Sequence, residues 1–157
     1  MQIGEEESNG FEFDLAGEIT PNWSILASYA YIDARITKTA SNSEKDFDMQ
    51  RPSTPRHSGN IWTKYIITEG PLKHLGLGAG YNFVTERYGQ VGRRANTTIY
   101  PGYGLVNAVL YYKINQIQLQ LNLNNVLNKT HWVGGYDKLR SFPGAPRNIN
   151  VTVSYKF

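Results

Sequence analysis

Arg147-Asn148-Ile149-Asn150-Val151-Thr152-Val153-Ser154-Tyr155-Lys156-Phe157 alternates almost without a break. Ile149, Val151, Val153, Tyr155 and Phe157 fall on one face, and Asn148, Asn150, Thr152, Ser154 and Lys156 fall on the other. A period of two is that of a β-strand with one apolar and one wet face. The alternation runs to the last residue, where water-soluble domains usually fray. A closing strand with an aromatic terminus raises the expectation of a transmembrane barrel, which the rest of the chain can test.

The composition is compatible with that expectation. At 157 residues the chain is long enough for one ordinary domain. A net charge of +3 is mild, with no concentrated basic stripe of the kind nucleic-acid partners require. The absence of cysteine excludes disulfides and thiolate metal sites. No apolar run reaches the length of a membrane helix. A β-barrel escapes that test, because only alternate residues face lipid. Eleven tyrosines and three tryptophans are many for this length, and such rings favour membrane–water interfaces. The polar start, Gln2 to Ser8, is no signal peptide: it lacks a basic beginning and an apolar stretch. An outer-membrane protein needs one, so the chain is expected to be mature, truncated or excised.

Working back from the terminal strand, the same period recurs. Ile117, Leu119, Leu121 and Leu123 oppose Gln118, Gln120, Asn122 and Asn124. Val106, Ala108, Leu110 and Tyr112 mark another strand, and a tight turn centred on Asn115 joins the two. Leu75, Leu77, Ala79, Tyr81 and Phe83 oppose Gly76, Gly78, Gly80 and Asn82. His57 to Ile67 reads as a strand with Ile61, Thr63, Tyr65 and Ile67 on its apolar side, which leaves Trp62 on the wet side. Trp23, Ile25, Ala27, Tyr29 and Tyr31 share a face, as do Phe11, Phe13, Leu15, Gly17 and Ile19. About seven strands result, each near the ~9–11 residues that a tilted strand needs to cross a bilayer. The connectors alternate short and long. Residues 34–56, 86–102 and 127–146 read as long loops, and 20–22, 68–72 and 114–115 as short turns. Short periplasmic turns and long external loops are the habit of outer-membrane barrels.

Alternation alone does not say which face meets lipid, since a soluble lipocalin-like barrel also alternates. Two features favour lipid outside. The polar face carries Asn, Gln, Ser and Gly, which suits a wet or plugged lumen. Aromatics gather near strand ends: Trp23, Tyr112, Tyr155 and Phe157 on the turn side, and Phe11, Tyr31 and Phe83 on the loop side. The fold class expected is therefore all-β, an antiparallel up-and-down transmembrane β-barrel segment of about seven strands. An odd count leaves the barrel incomplete, because single-chain bacterial barrels have an even number. The isolated chain is expected neither to form a pore nor to transport.

Several stretches resemble TonB-dependent siderophore receptors. These are Gly144-Ala145-Pro146-Arg147 before the terminal strand and Leu121-Asn122-Leu123-Asn124-Asn125-Val126-Leu127-Asn128-Lys129. Tyr100-Pro101-Gly102-Tyr103, Pro55-Arg56-His57 with Trp62-Thr63-Lys64-Tyr65, and Gly10-Phe11-Glu12-Phe13-Asp14 complete the set. Their order and spacing across nearly the whole chain are more specific than any one of them. The resemblance implies a large plugged barrel of the ~22-stranded type. Residues 1–157 would be the C-terminal part of it, without the plug domain or signal peptide. The implied function is uptake of a ferric siderophore across the bacterial outer membrane. The implied partners are the siderophore, outer-membrane lipid, the barrel-assembly machinery, and the TonB energy-coupling protein through the missing N-terminal part. No enzyme activity and no protein cofactor is expected, iron arriving already wrapped in its chelator. A small complete outer-membrane barrel with a structural or adhesion role is the alternative, and a soluble ligand-binding barrel is a third reading.

Tyr88, Arg93 and Arg94 in one long loop, and Trp132, Tyr136 and Arg140 in another, are candidate ligand contacts. Guanidinium groups and aromatic faces suit an anionic chelate, although solvated loop residues would look the same. Val151, Val153, Tyr155 and Phe157 form the expected assembly signal, by resemblance to terminal aromatic strands of the family. Interface anchoring by the ring is the plainer use of Phe157. Gly76-x-Gly78-x-Gly80 reads as lumen-facing glycines that leave room for a plug or relieve curvature, not as a phosphate loop. His57, His74 and His131 have no metal-ligand spacing. Glu12, Asp14 and Glu18 form an acidic row best read as a charged lumen.

Overall fold

The structure is a computed structural model that describes residues 4–38, 49–89, 98–135 and 139–157. Among them the first six strands are β1 (Glu5–Thr20), β2 (Trp23–Lys38), β3 (Met49–Gln50), β4 (His57–Ile66), β5 (Leu75–Val84) and β6 (Arg87–Tyr88). The rest are β7 (Ile99–Tyr100), β8 (Tyr103–Ile114), β9 (Ile117–Asn124), β10 (Trp132–Gly135), β11 (Ser141–Pro143) and β12 (Asn148–Tyr155). The seven long strands pair antiparallel in the order β1-β2-β4-β5-β8-β9-β12, and β3 pairs back onto β2. Neighbours in this path are successive long strands of the chain, an up-and-down meander. The two end strands each pair with one neighbour, so the sheet is not closed.

The turns explain the sharp reversals. Pro21-Asn22 joins β1 to β2, where a missing amide disturbs no ladder. Asn115, with φ 51°, opens the two-residue turn between β8 and β9, a position that asparagine tolerates better than most side chains. Gly70 at φ 77° and His74 at φ 73° close the turn before β5, where His74 N donates to Ile67 O at 2.9 Å.

Register sorts the side chains by face. Trp23 pairs with Tyr65, Tyr65 with Leu77, Leu77 with Leu110, Leu110 with Leu121 and Leu121 with Val151. That apolar row crosses six strands, and its members are exposed. Phe11, Phe13, Leu15, Ile61, Tyr81, Leu119, Ile149 and Val153 are exposed on the same face. A soluble chain would gather such side chains into a dry centre, and an uncovered apolar face of this extent marks contact with something apolar. Among the described residues the buried apolar ones are Ala34, Ile36, Met49, Tyr100 and Val109. All but Val109 lie where connectors fold over the long-loop end.

The polar face has its own order. Asp14 pairs with Ser28, Ser28 with Asn60 and Asn60 with Asn82. Asn60 Nδ2 donates to Ser28 Oγ at 2.6 Å, and Asn107 Nδ2 to Asn82 Oδ1 at 2.9 Å. Asn124 Nδ2 donates to Asn148 Oδ1 at 2.9 Å and completes a polar belt to which every long strand contributes. Trp62 does lie on this face, opposite Leu26 and Gly80. A Cβ at Gly80 would meet Trp62 Cζ3 at 2.6 Å, and one at Gly78 would meet Val109 Cγ1 at 2.6 Å. The glycines are expected from sequence to leave room for a plug or relieve curvature; the space beside Gly78 and Gly80 is taken by Trp62 and Val109.

All three long-loop expectations need correction. Residues 34–56 are not loop throughout: β2 continues to Lys38, and Met49–Gln50 pair with Arg35 and Ile36. β1 likewise starts at Glu5, well before Phe11. The extended β2 buries Ala34 and Ile36, with Met49 of β3 paired beside Ile36, and ion pairs add to what holds it. Arg35 Nε and Arg56 Nη2 hold Asp33 at 3.0 and 3.6 Å, Arg51 meets Glu6 at 3.2 Å, and Lys38 pairs with Glu5. The 86–102 and 127–146 loops contain the small hairpins β6–β7 and β10–β11.

Candidate functional site

The long-loop end is where separate connectors meet. Arg87 pairs with Tyr100 and Tyr88 with Ile99 across β6–β7. Gly135 pairs with Ser141 across β10–β11. The two hairpins are stitched to each other. Arg87 Nη2 donates to Trp132 O at 2.5 Å, and the Tyr100 hydroxyl lies 3.1 Å from Ser141 Oγ. Ser53 N donates to Tyr88 O at 2.7 Å and ties the connector after β3 to the same assembly.

Beneath the hairpins lies a polar and aromatic cluster. Arg87 is 4% exposed, and its guanidinium carbon stands 5.6 Å from the centre of the Tyr103 ring. The Tyr103 and His131 rings are 4.5 Å apart, and His131 is also buried. His131 Nδ1 lies 3.2 Å from Lys129 O, which can only accept, so Nδ1 carries a proton and donates. The Tyr100-Pro101-Gly102-Tyr103 motif thus supplies the strand partner of Arg87, Tyr100, and the ring against its guanidinium, Tyr103. A Cβ at Gly102 would meet Val84 O at 2.8 Å, so the chain passes close to its own backbone there.

Beside this cluster, Asn125 ties β9 to the start of β12. It is 2% exposed and holds φ 49°. Its Oδ1 accepts from Lys129 N at 2.8 Å, and its Nδ2 donates to Lys129 O at 2.9 Å and to Ala145 O at 3.2 Å. Its own amide donates to Asn107 Oδ1 at 2.9 Å. Asn128, at φ 50°, accepts from Arg147 N at 3.0 Å. The Asn-rich motif and Gly144-Ala145-Pro146-Arg147 are therefore two halves of one hydrogen-bonded corner.

Of the candidate ligand residues, Tyr88 lies in β6 and Trp132 in β10, on hairpins that touch; Arg140 stands exposed just before β11. Arg93, Arg94 and Tyr136 lie outside the described residues. Val151, Val153 and Tyr155 project from the exposed face of β12, with Phe157 packed edge-on against Tyr155 at 5.1 Å. Sequence reasoning missed Arg87 and Thr98, and considered His131 only as a metal ligand.

An open antiparallel meander with an exposed apolar face, a belted polar face and stitched hairpins at one end is what known proteins can be compared with. The family model described as TonB dependent receptor-like, beta-barrel matches residues 1–126. The chain belongs to the TonB-dependent receptor β-barrel family. The siderophore receptor PiuA from Acinetobacter baumannii is a structural neighbour at TM-score 0.80 and 32% identity, covering 97% of this chain and 22% of that one. The catecholate siderophore receptor Fiu of Escherichia coli K12 is 31% identical over 163 residues, 99% of this chain and 20% of Fiu. The metal-pseudopaline receptor CntO of Pseudomonas aeruginosa is 30% identical over 159 residues, 98% of this chain and 21% of CntO. The chain thus spans about a fifth of the length of the relatives it matches. As a TonB-dependent receptor barrel it belongs to the bacterial outer membrane.

Proposed function

We propose that this segment is the C-terminal wall and outer loops of a receptor that imports a ferric siderophore, with a plug domain and the contact to the TonB coupling protein lying elsewhere in the same receptor. The observation that carries the reading is the joining of the β6–β7 and β10–β11 hairpins above an arginine-and-aromatic cluster, on a barrel wall whose relatives are siderophore receptors. Ligand is captured at this end, where Tyr88, Trp132 and Arg140 stand; Arg93, Arg94 and Tyr136, outside the described residues, are candidates by residue type, since aromatic faces and guanidinium groups suit an anionic chelate. The iron belongs to the cargo. The wall performs no covalent chemistry; it binds, encloses and, through its lumen face, contacts the plug.

The test is ligand titration of the intact receptor with a ferric catecholate. Replacing Arg93 and Arg94 together by alanine is expected to weaken binding at least about tenfold, the equivalent of one charge-assisted contact of about 1.4 kcal/mol or more. Unchanged affinity removes both residues from the site, and no binding by the parent receptor removes the catecholate as cargo.

A further inference from the structure

Two buried side-chain atoms among the described residues have no hydrogen-bond partner, Arg87 Nη1 and Thr98 Oγ1. Both lie on one face of the β6–β7 hairpin. Arg87 pairs with Tyr100, and one step on Gly89 N donates to Thr98 O at 2.7 Å, so Arg87, Gly89, Thr98 and Tyr100 share a side. A side chain at Gly89 would meet the Tyr100 ring at 2.7 Å, which places that ring over the same side. The β10–β11 hairpin covers it through Trp132 O and Ser141 Oγ.

The charge of Arg87 is as unmatched as its Nη1. The ion pairs of the described residues join Arg35, Arg56, Lys38 and Arg51 to Asp33, Glu5 and Glu6, and none reaches Arg87. Glu86 is next in sequence but exposed, pointing to the other side of the strand. A water molecule would satisfy the N–H groups and leave the charge uncompensated; an anion satisfies both. We propose that Arg87 and Thr98 form a site for a small oxyanion, a carboxylate or a phosphate-type group, enclosed by the two hairpins. Nη1 donates to one oxygen and the Thr98 hydroxyl to another, while Tyr103 backs the guanidinium. Because Arg87 is 4% exposed, entry requires β10–β11 to lift from β6–β7. The Arg87–Trp132 hydrogen bond is the contact that breaks and reforms. The site stands whether or not the receptor carries a ferric siderophore.

The experiment is hydrogen–deuterium exchange on the intact receptor in sodium phosphate, sodium acetate or sodium chloride at equal ionic strength. The peptides followed cover residues 87–89, 98–103 and 132–135. Phosphate or acetate at ten times its dissociation constant is expected to slow their exchange about tenfold relative to chloride. The protection is expected to vanish in Arg87→Met and in Thr98→Val, with exchange in β4 and β5 unaltered. Protection by acetate alone assigns a carboxylate, and by phosphate alone a phosphate group; both support the site. No protection by either anion overturns it, as does protection that survives Arg87→Met. If Arg87→Met does not assemble, Thr98→Val decides alone: lost protection supports the site and retained protection overturns it.

Discussion

Gly80→Ala tests the most specific packing contact on the lumen face. The Trp62 indole lies across β5, with Leu26 opposite it on β2 and Val109 beyond Gly78. A methyl at position 80 falls within the body of the indole ring, where Cζ3 alone is 2.6 Å away. The ring is bounded on one side by Val109, whose Cγ1 crowds the same space over Gly78 as the indole Cζ2. Overpacking of this kind costs about 1–3 kcal/mol. Alanine in place of glycine inside a strand returns roughly 0.5–1 kcal/mol through lower chain entropy. The net expected loss is about 1–2 kcal/mol. In a Trp62→Leu background the clash is absent, so Gly80→Ala is expected to stabilise by roughly 0.5 kcal/mol. Urea unfolding of the intact receptor from lipid vesicles, run as a double-mutant cycle, reads the coupling, expected at about 2 kcal/mol. Equal effects of Gly80→Ala with and without Trp62 would refute the reasoning.

Three further predictions concern the closing strand and its corner. Val151→Lys places an ammonium against hydrocarbon near the middle of β12 and is expected to cost about 2–4 kcal/mol in vesicle unfolding, whereas Thr152→Lys, one residue away on the lumen face, costs less than about 1. Asn125→Ala removes three side-chain hydrogen bonds and strands a left-handed backbone; a loss of about 2–4 kcal/mol is expected, read by the same unfolding assay. Deleting Phe157 is expected to lower the amount of receptor at the cell surface while total synthesis, measured by immunoblot, is unchanged; normal surface levels would remove the assembly role.

How much of this was legible in the sequence follows from what constrains each residue. β9 and β12 read cleanly because apolar side chains occupy one face and polar ones the other without a break. The outer halves of β1 and β2 escaped the sequence reading: Glu5–Ser8 is exposed throughout and imposes no alternation, while in β2 the alternating Ile32, Ala34 and Ile36 sit between the polar Asp33, Arg35 and Thr37 and run into a polar stretch. The strands β6, β7, β10 and β11 are too short to show a period. Trp62 looked misplaced until β5 lay beside it, a contact across the sheet that no local pattern carries. Arg87 was passed over for the more basic stretch at Arg93 and Arg94. What singles it out is burial by a hairpin some 45 residues further along the chain, and that is a tertiary fact. The Asn-rich motif and Gly144-Ala145-Pro146-Arg147 were recognised separately; that Asn125 and Asn128 join them emerged only from the hydrogen bonds.

The orientation of the wall is best measured by nitroxide scanning. Single labels at positions 149 to 155 of the intact receptor, in bilayers, report collisions with dissolved oxygen and with a water-soluble nickel chelate. Positions 149, 151, 153 and 155 are expected to favour oxygen and 150, 152 and 154 the chelate, in strict alternation. The opposite phase, or no alternation, would mean that the hydrocarbon does not lie against this face, and the barrel assignment would fall with it.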